Sequence, residues 1–384
     1  MYLEVRNEIK PSMLRRCNGW DYRQPCIYQI TLVLADRRSM ALGRLEMPGV
    51  EAACLVLEAA ASSYIALTPA GEAVKREFWA IGDRHPEIKA LEIAIMPDHC
   101  HFIIHVTRPM AKPLGNAIGG FKTGSSKAAI GRPGLWADGF QDTILFHEGQ
   151  LSAMFNYLRD NPRRLAIKRL SPELFRVRRS LKLPLQALDP VYATSCAQTF
   201  GRFAAIGNHF LIESPNILQV QVSRRDFAYK RMPKPGGGLK IARDESGRPV
   251  AEAATDGFKE KCDALLAAAS HGAVLITPCI SDGEREIARL AFEMGSKVIT
   301  LSNKGFSPLY KPGGKLFDLT AKGNLLMLSP INWPYCPGEK KMTRIDACIL
   351  NRIAQMLAGS GAAKIDYKGM KPNDIDRLAT EAVK

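Results

Sequence analysis

Apolar and polar positions alternate with two different periods along the first half of this chain. Residues 26–35 (CIYQITLVLA) are β-branched and aromatic and predict a strand. Residues 68–81 open on Thr-Pro-Ala-Gly and then carry Ala73, Val74, Phe78, Trp79 and Ile81 at helical spacing. Two further strands, 88–95 and 99–106, are joined by a Met-Pro-Asp turn. A helix is expected over 110–129, weakened by Gly115, Gly119 and Gly120. A short strand follows within 136–146. A last helix over 151–160 is expected to close at Asn161-Pro162.

This β-α-β-β-α-β order matches an α+β ferredoxin-like fold. The texture changes after Ser195. Residues 230–238 are rich in Pro and Gly, and 242–256 are polar. Helices predicted over 258–269 and 282–294 then alternate with short apolar strands at 273–278, 297–301 and 325–328. That alternation argues for an α/β Rossmann-like domain built on a parallel sheet. The boundary is expected between residues 183 and 198, giving domains 1–185 and 186–384.

Charge narrows the partners. The 384 residues contain 53 Lys and Arg against 38 Asp and Glu, a formal net charge of +15. Such an excess favours an anionic partner, most simply nucleic acid. No apolar run approaches the roughly 18 residues of a membrane span, and residues 1–10 lack the apolar core of a signal peptide. A soluble, cytoplasmic protein with no membrane partner is expected. The nine cysteines show no CxxC pair, which reads as reduced thiols rather than a disulfide frame or a zinc ribbon.

The densest chemistry lies at His99-Cys100-His101. Residues two apart on a strand share a face, so the imidazoles project together while Cys100 and Phe102 turn to the apolar side. Two neutral imidazoles can hold a divalent cation, and beside a basic surface that suggests phosphate chemistry. A structural histidine pair would carry the same pattern. His105 falls on the same face, where a structural role is the simpler reading, and Cys100 faces away from the pair. Downstream, Tyr157 and Asn161 are one helical turn apart and can serve one site. A phenol, with a pKa near 10, needs a polarised phosphate and a cationic surround to act as a nucleophile. Packing explains a lone helical tyrosine equally well, and helix termination explains the asparagine.

Between residues 159 and 182 lie Arg159, Arg163, Arg164, Lys168, Arg169, Arg176, Arg178, Arg179 and Lys182, with only Asp160 and Glu173 as acids. A solvated face is the plain reading. Following Tyr157, it reads better as a phosphate-tracking surface. Lys122 and Lys127, on the preceding helix, are further candidates for a phosphate contact.

Met96-Pro97-Asp98-His99-Cys100-His101 resembles the MPNHxH element of the HUH single-strand tyrosine transposases. Tyr157-Leu158-Arg159-Asp160-Asn161-Pro162 resembles the Y-I-x-x-N-P element of their REP-associated branch. Gly120-Phe121-Lys122, Leu135-Trp136 with Phe140-Gln141-Asp142, and Gly19-Trp20-Asp21-Tyr22 also fit that family; the likeness spans residues 17–170. It implies His99 and His101 as ligands of Mg²⁺ or Mn²⁺, with Asn161 as a third. Tyr157 would attack a phosphodiester of single-stranded DNA, at a hairpin, to give a 5′-phosphotyrosyl enzyme and a free 3′-hydroxyl. Homodimerisation is also expected by resemblance. Asp98 replaces Asn, Cys100 replaces a bulkier aliphatic, and Thr143 and Phe146 stand where a His or Arg is usual after Asp142.

The second half is similar in part to the Rossmann-like domain of the DNA-processing (Smf/DprA) family. The similarity runs through 280–288, 295–301, 305–312 and 351–354, but the segment 277–283 has one glycine where that family has a Gly-rich phosphate loop. An accessory or single-strand-binding role is therefore expected of it. The leading expectation is a metal-dependent transposase or nickase. The alternatives are a transposase-derived regulator that binds DNA or RNA hairpins without cutting, and a zinc hydrolase that would need a further His, Asp or Glu ligand.

Overall fold

The computed structural model describes residues 17, 19–48, 56–146, 149–183, 202–233, 238–308, 310–330, 335 and 342–358. The chain divides into two compact units after Leu170. The stretch 184–198, where the sequence suggests a boundary, lies outside the described residues, as do 1–10 and, within the Pro/Gly-rich segment, 234–237.

The first unit comprises β1 (Cys26–Val33), β2 (Gly43–Glu46), α1 (Val56–Ala61), β3 (Tyr64–Leu67), α2 (Pro69–Trp79), α3 (Ile81–Arg84), β4 (Ile88–Met96), β5 (His99–Val106), α4 (Leu114–Ile130), β6 (Gln141–Leu145) and α5 (Gln150–Leu170). Its main sheet has the order β4-β5-β1-β6 with every pair antiparallel, and β2 and β3, joined through α1, form a separate two-stranded sheet. Thr68 starts α2 by accepting a hydrogen bond from the Gly71 amide, with Pro69 at the first helical position. Gly71 is required there, because a Cβ would stand 2.0 Å from the Leu42 carbonyl oxygen.

Strand alternation sets the core. Tyr28, Ile30 and Leu32 of β1 join Cys100, Phe102, Ile104 and Val106 of β5 under Val74 and Phe78 of α2 and Leu114, Ile118 and Phe121 of α4. Phe102 is fully buried, with ring centroids 5.2 Å from Phe78 and 5.3 Å from Phe121. Phe102→Ala should therefore cost about 3–5 kcal/mol. A urea melt should show this as a lower midpoint at unchanged slope. The opposite residues, His99, His101 and Ile103, face the side where α5 packs beside β4 and the β2–β3 pair.

Helix α5 differs from expectation. It does not stop at Asn161-Pro162 but continues to Leu170 with Pro162 inside. Pro162 has no amide hydrogen for the Leu158 carbonyl. The Asn161 side chain supplies the missing donor, its Nδ2 lying 3.3 Å from the Leu158 oxygen and 3.0 Å from the Tyr157 oxygen.

The second unit contains β7 (Arg178–Lys182), β8 (Arg202–Gly207), β9 (Ile217–Gln219), β10 (Phe227–Tyr229), β11 (Arg231–Pro233), β12 (Leu239–Ile241), β13 (Ala251–Ala254), α6 (Asp256–Ser270), β14 (Val274–Thr277), α7 (Asp282–Glu293), β15 (Val298–Leu301), α8 (Gly314–Ala321), β16 (Leu325–Pro330) and α9 (Arg344–Leu357). Its six-stranded sheet runs β7-β8-β16-β15-β14-β9. The pairs from β16 to β9 are parallel, as their continuous apolar runs suggest, whereas β7 and β8 add antiparallel pairs at one edge. One face packs on α9, the other on α6 and α7. The basic run 159–182 is thereby split. Its first part lies on α5, and Arg178–Lys182 is a strand of the second unit. Among the described residues no helix is long and apolar enough to cross a membrane.

Candidate active site

The turn between β4 and β5 is held by the chain leaving β1. The Leu34 amide donates to the Asp98 carbonyl at 3.0 Å and the Leu42 amide to that of Pro97 at 3.2 Å. His99 and His101 follow at once on β5, with ring centroids 4.8 Å apart and planes at 82°.

Each imidazole has its Nδ1 already engaged. His99 Nδ1 lies 2.6 Å from Asp98 Oδ1, and a carboxylate only accepts, so Nδ1 carries a proton. Asp98 is also ion-paired with Arg37. Burial disfavours its charge, but the hydrogen bonds and charges of His99 and Arg37 outweigh that and hold it at about 2. His101 Nδ1 lies 2.8 Å from Thr31 Oγ1 and 3.3 Å from Gln29 Nε2, which also donates to the Thr31 hydroxyl at 3.0 Å. Burial, reinforced by the charges of His99 and Lys168, pushes His101 down to about 3, so its ring is neutral at physiological pH. Both rings are thus oriented through Nδ1, as histidine ligands of a metal commonly are.

Tyr157 stands on α5 with its ring centroid 5.9 Å from that of His101 at an interplanar angle of 64°. It is 39% exposed, and its hydroxyl has no hydrogen-bond partner among the described residues. The Arg164 guanidinium lies 5.6 Å from the ring centroid. A phenol beside an imidazole pair and a cation is thus brought together from elements 56 positions apart.

The remaining predicted residues fall out differently. Asn161 is 9% exposed and its amide nitrogen is committed to the α5 carbonyls, so only Oδ1 is left to meet a cation. Arg163 and Arg164 both pair with Asp160, whose carboxyl they hold low against the effect of burial. Arg159 pairs with Glu92 at 2.9 Å. Lys122 is half-buried, and its ammonium donates to the carbonyls of Ala137 at 2.7 Å and Gly139 at 3.2 Å, tying α4 to the next loop. Lys127 and Arg169 are exposed, and Lys168 is half-buried. Cys100 is fully buried on the core face, and burial pushes its thiol up, away from reactive thiolate. Among the described residues no group of three or more His, Cys, Asp or Glu could hold a metal ion.

The sequence reading passed over Thr31, Gln29 and Arg37. The signal was present for two of them. Gln29 and Thr31 interrupt the apolar run of β1 at alternate positions, and Thr31 pairs directly with His101. Thr31→Val keeps the shape and removes the oxygen. It should weaken cation binding about 10–100-fold. Titration calorimetry with Mn²⁺ would measure it.

No family model matches the chain, and no curated protein does. Among solved structures, a REP-associated tyrosine transposase bound to a REP hairpin matches at 14% identity with a TM-score of 0.26, covering 38% of this chain and 72% of that one.

Proposed function

We propose that the first unit is a divalent-cation-dependent enzyme that cuts and rejoins single-stranded DNA at hairpins through a 5′-phosphotyrosine. The observation that carries this reading is the edge-on approach of the Tyr157 ring to His101, whose Nδ1 is already bound to Thr31. The β4-β5-β1-β6 sheet order supports a ferredoxin-like fold beneath it. The motif resemblance around His99 and Tyr157 supports the chemistry.

In this reading His99, His101 and Asn161 would hold Mg²⁺ or Mn²⁺. Bound there, the cation would polarise the scissile phosphate and neutralise the charge that builds on its oxygens. Tyr157 supplies the nucleophile. Its phenol proton leaves to water, the phenolate oxygen bonds to phosphorus, and the P–O3′ bond breaks. The departing 3′ oxygen takes up a proton and leaves as a hydroxyl. The Arg164 guanidinium lies 5.6 Å from the centre of the Tyr157 ring. Attack by another 3′-hydroxyl reverses the sequence, rejoining strands with no external energy source.

We read the second unit as a Rossmann-like accessory domain that binds no nucleotide at its first strand-to-helix turn. At the turn from β14 to α7, the first in its parallel sheet, the Ile280 amide donates at 2.7 Å to the buried Glu284 side chain, and Ser281 caps α7. The chain's own side chain takes the amide that a phosphate loop would offer.

End-labelled hairpin DNA tests the proposal. With Mn²⁺, a 3′-end label should migrate with the protein through denaturing electrophoresis, and a 5′-end label should be released on a shorter strand. Chelator should abolish both. Release of both labels from the protein would mean hydrolysis and would overturn the phosphotyrosine.

A further inference from the structure

The second unit carries a two-stranded ribbon that the proposed chemistry does not use. β11 and β12 pair with each other alone, in the register Arg231–Ile241, Met232–Lys240 and Pro233–Leu239. Directly paired residues share a face, and so do residues two apart. Arg231 and Ile241 therefore share one face with Pro233 and Leu239, and that face turns inward only at its Arg231–Ile241 end, Leu239 being 62% exposed. Arg231 pairs with Asp282 of α7 at 2.8 Å, and Ile241 packs against the core built on α6 and α7. Lys230, Met232 and Lys240 form the outer face, and all three are exposed, Met232 at 43%.

We propose that this outer face is a docking surface for the double-helical stem of a DNA hairpin. A ribbon of two strands is marginal alone in water and is kept here by its inner face, so the outer face is free to meet a partner. Its chemistry is two ammonium groups flanking a flexible apolar side chain. Lysines meet phosphates on either side of a groove, and the major groove of B-form DNA is wide enough for a two-stranded β-ribbon. Charge agrees along the rest of the ribbon. Over its described residues 230–233 and 238–248, Arg231 is paired with Asp282, and Lys230, Lys240, Arg243 and Arg248 face only Asp244 and Glu245. Asp244 is exposed and accepts from Ser246 and from the Arg248 amide. Lysines on an exposed strand pair oppose pairing with a second copy, which would bring like charges together.

The inference rests on the reading that DNA is the partner, and extends it from the cut strand to the paired stem. The test uses the full chain with the triple variant Lys230→Ala, Met232→Ala, Lys240→Ala, whose positions are solvent-facing. Two fluorescein-labelled probes are compared by anisotropy across a salt series: a DNA hairpin with one helical turn of stem, and an unpaired strand of equal composition. The variant should bind the hairpin at least about 10-fold more weakly, and the slope of log affinity against log salt should shrink by about two, near 0.9 for each lost phosphate contact. Unpaired-strand binding should change less than about two-fold. Unchanged hairpin affinity and slope would overturn the proposal, as would an equal loss on both probes. Adduct formation in the same samples separates the two readings. A variant that still forms the adduct and keeps wild-type hairpin affinity defeats the ribbon alone. A wild-type protein that binds the stem through the ribbon yet forms no adduct defeats the chemistry alone.

Discussion

Tyr157→Phe should abolish the covalent protein–DNA adduct and lower hairpin cleavage by about 10⁴-fold or more, the scale of losing a nucleophile. The substitution removes one oxygen and keeps the ring, so the edge contact with His101 and the cation contact from Arg164 both survive. The hydroxyl makes no hydrogen bond among the described residues, so the fold does not depend on it. DNA affinity should accordingly stay within about two-fold of wild type while turnover disappears. A merely structural tyrosine would give the opposite: a lowered melting temperature with cleavage retained.

The second large effect concerns the histidines. His99→Ala with His101→Ala should lower cation-stimulated cleavage by about 10³-fold, corresponding to about 4 kcal/mol of lost phosphate stabilisation. Neither ring belongs to the apolar core of the unit, which is built from the other face of β5. The double variant should therefore fold. Its separate signature is thermal: Mn²⁺ should raise the melting temperature of wild type and leave that of the variant unmoved, because a ligand stabilises only the state that binds it. An equal thermal response in both proteins would mean that the cation binds elsewhere.

How much of this was legible in the sequence differs from residue to residue. The β5 alternation was, because burying Cys100 and Phe102 forces His99 and His101 to the opposite face. The α2 start and the parallel strands β14, β15 and β16 were legible from strong local signals. The course of α5 was not. Pro162 reads as a stop unless the neighbouring side chain is known to repair the ladder, and only the three-dimensional geometry shows Asn161 doing so. That repair also changes what Asn161 offers a cation, from a free amide to one oxygen. The basic run misled in a similar way. A count of charges cannot show that Asp160 serves two arginines, that Lys122 is tied to two carbonyls, or that residues 178–182 leave the helix for another sheet. The β2–β3 pair and the β7–β8 edge are short strands whose pairing depends on distant partners. Local periodicity carries little of that.

The most direct test of the central claim is peptide mass spectrometry of the wild-type protein after reaction with hairpin DNA and Mn²⁺, followed by nuclease trimming of the DNA. A nucleotide mass joined through phosphate to the peptide containing Tyr157, absent from Tyr157→Phe, is the predicted result. Cleaved DNA with the modification on another residue, or with no modified peptide at all, would contradict it.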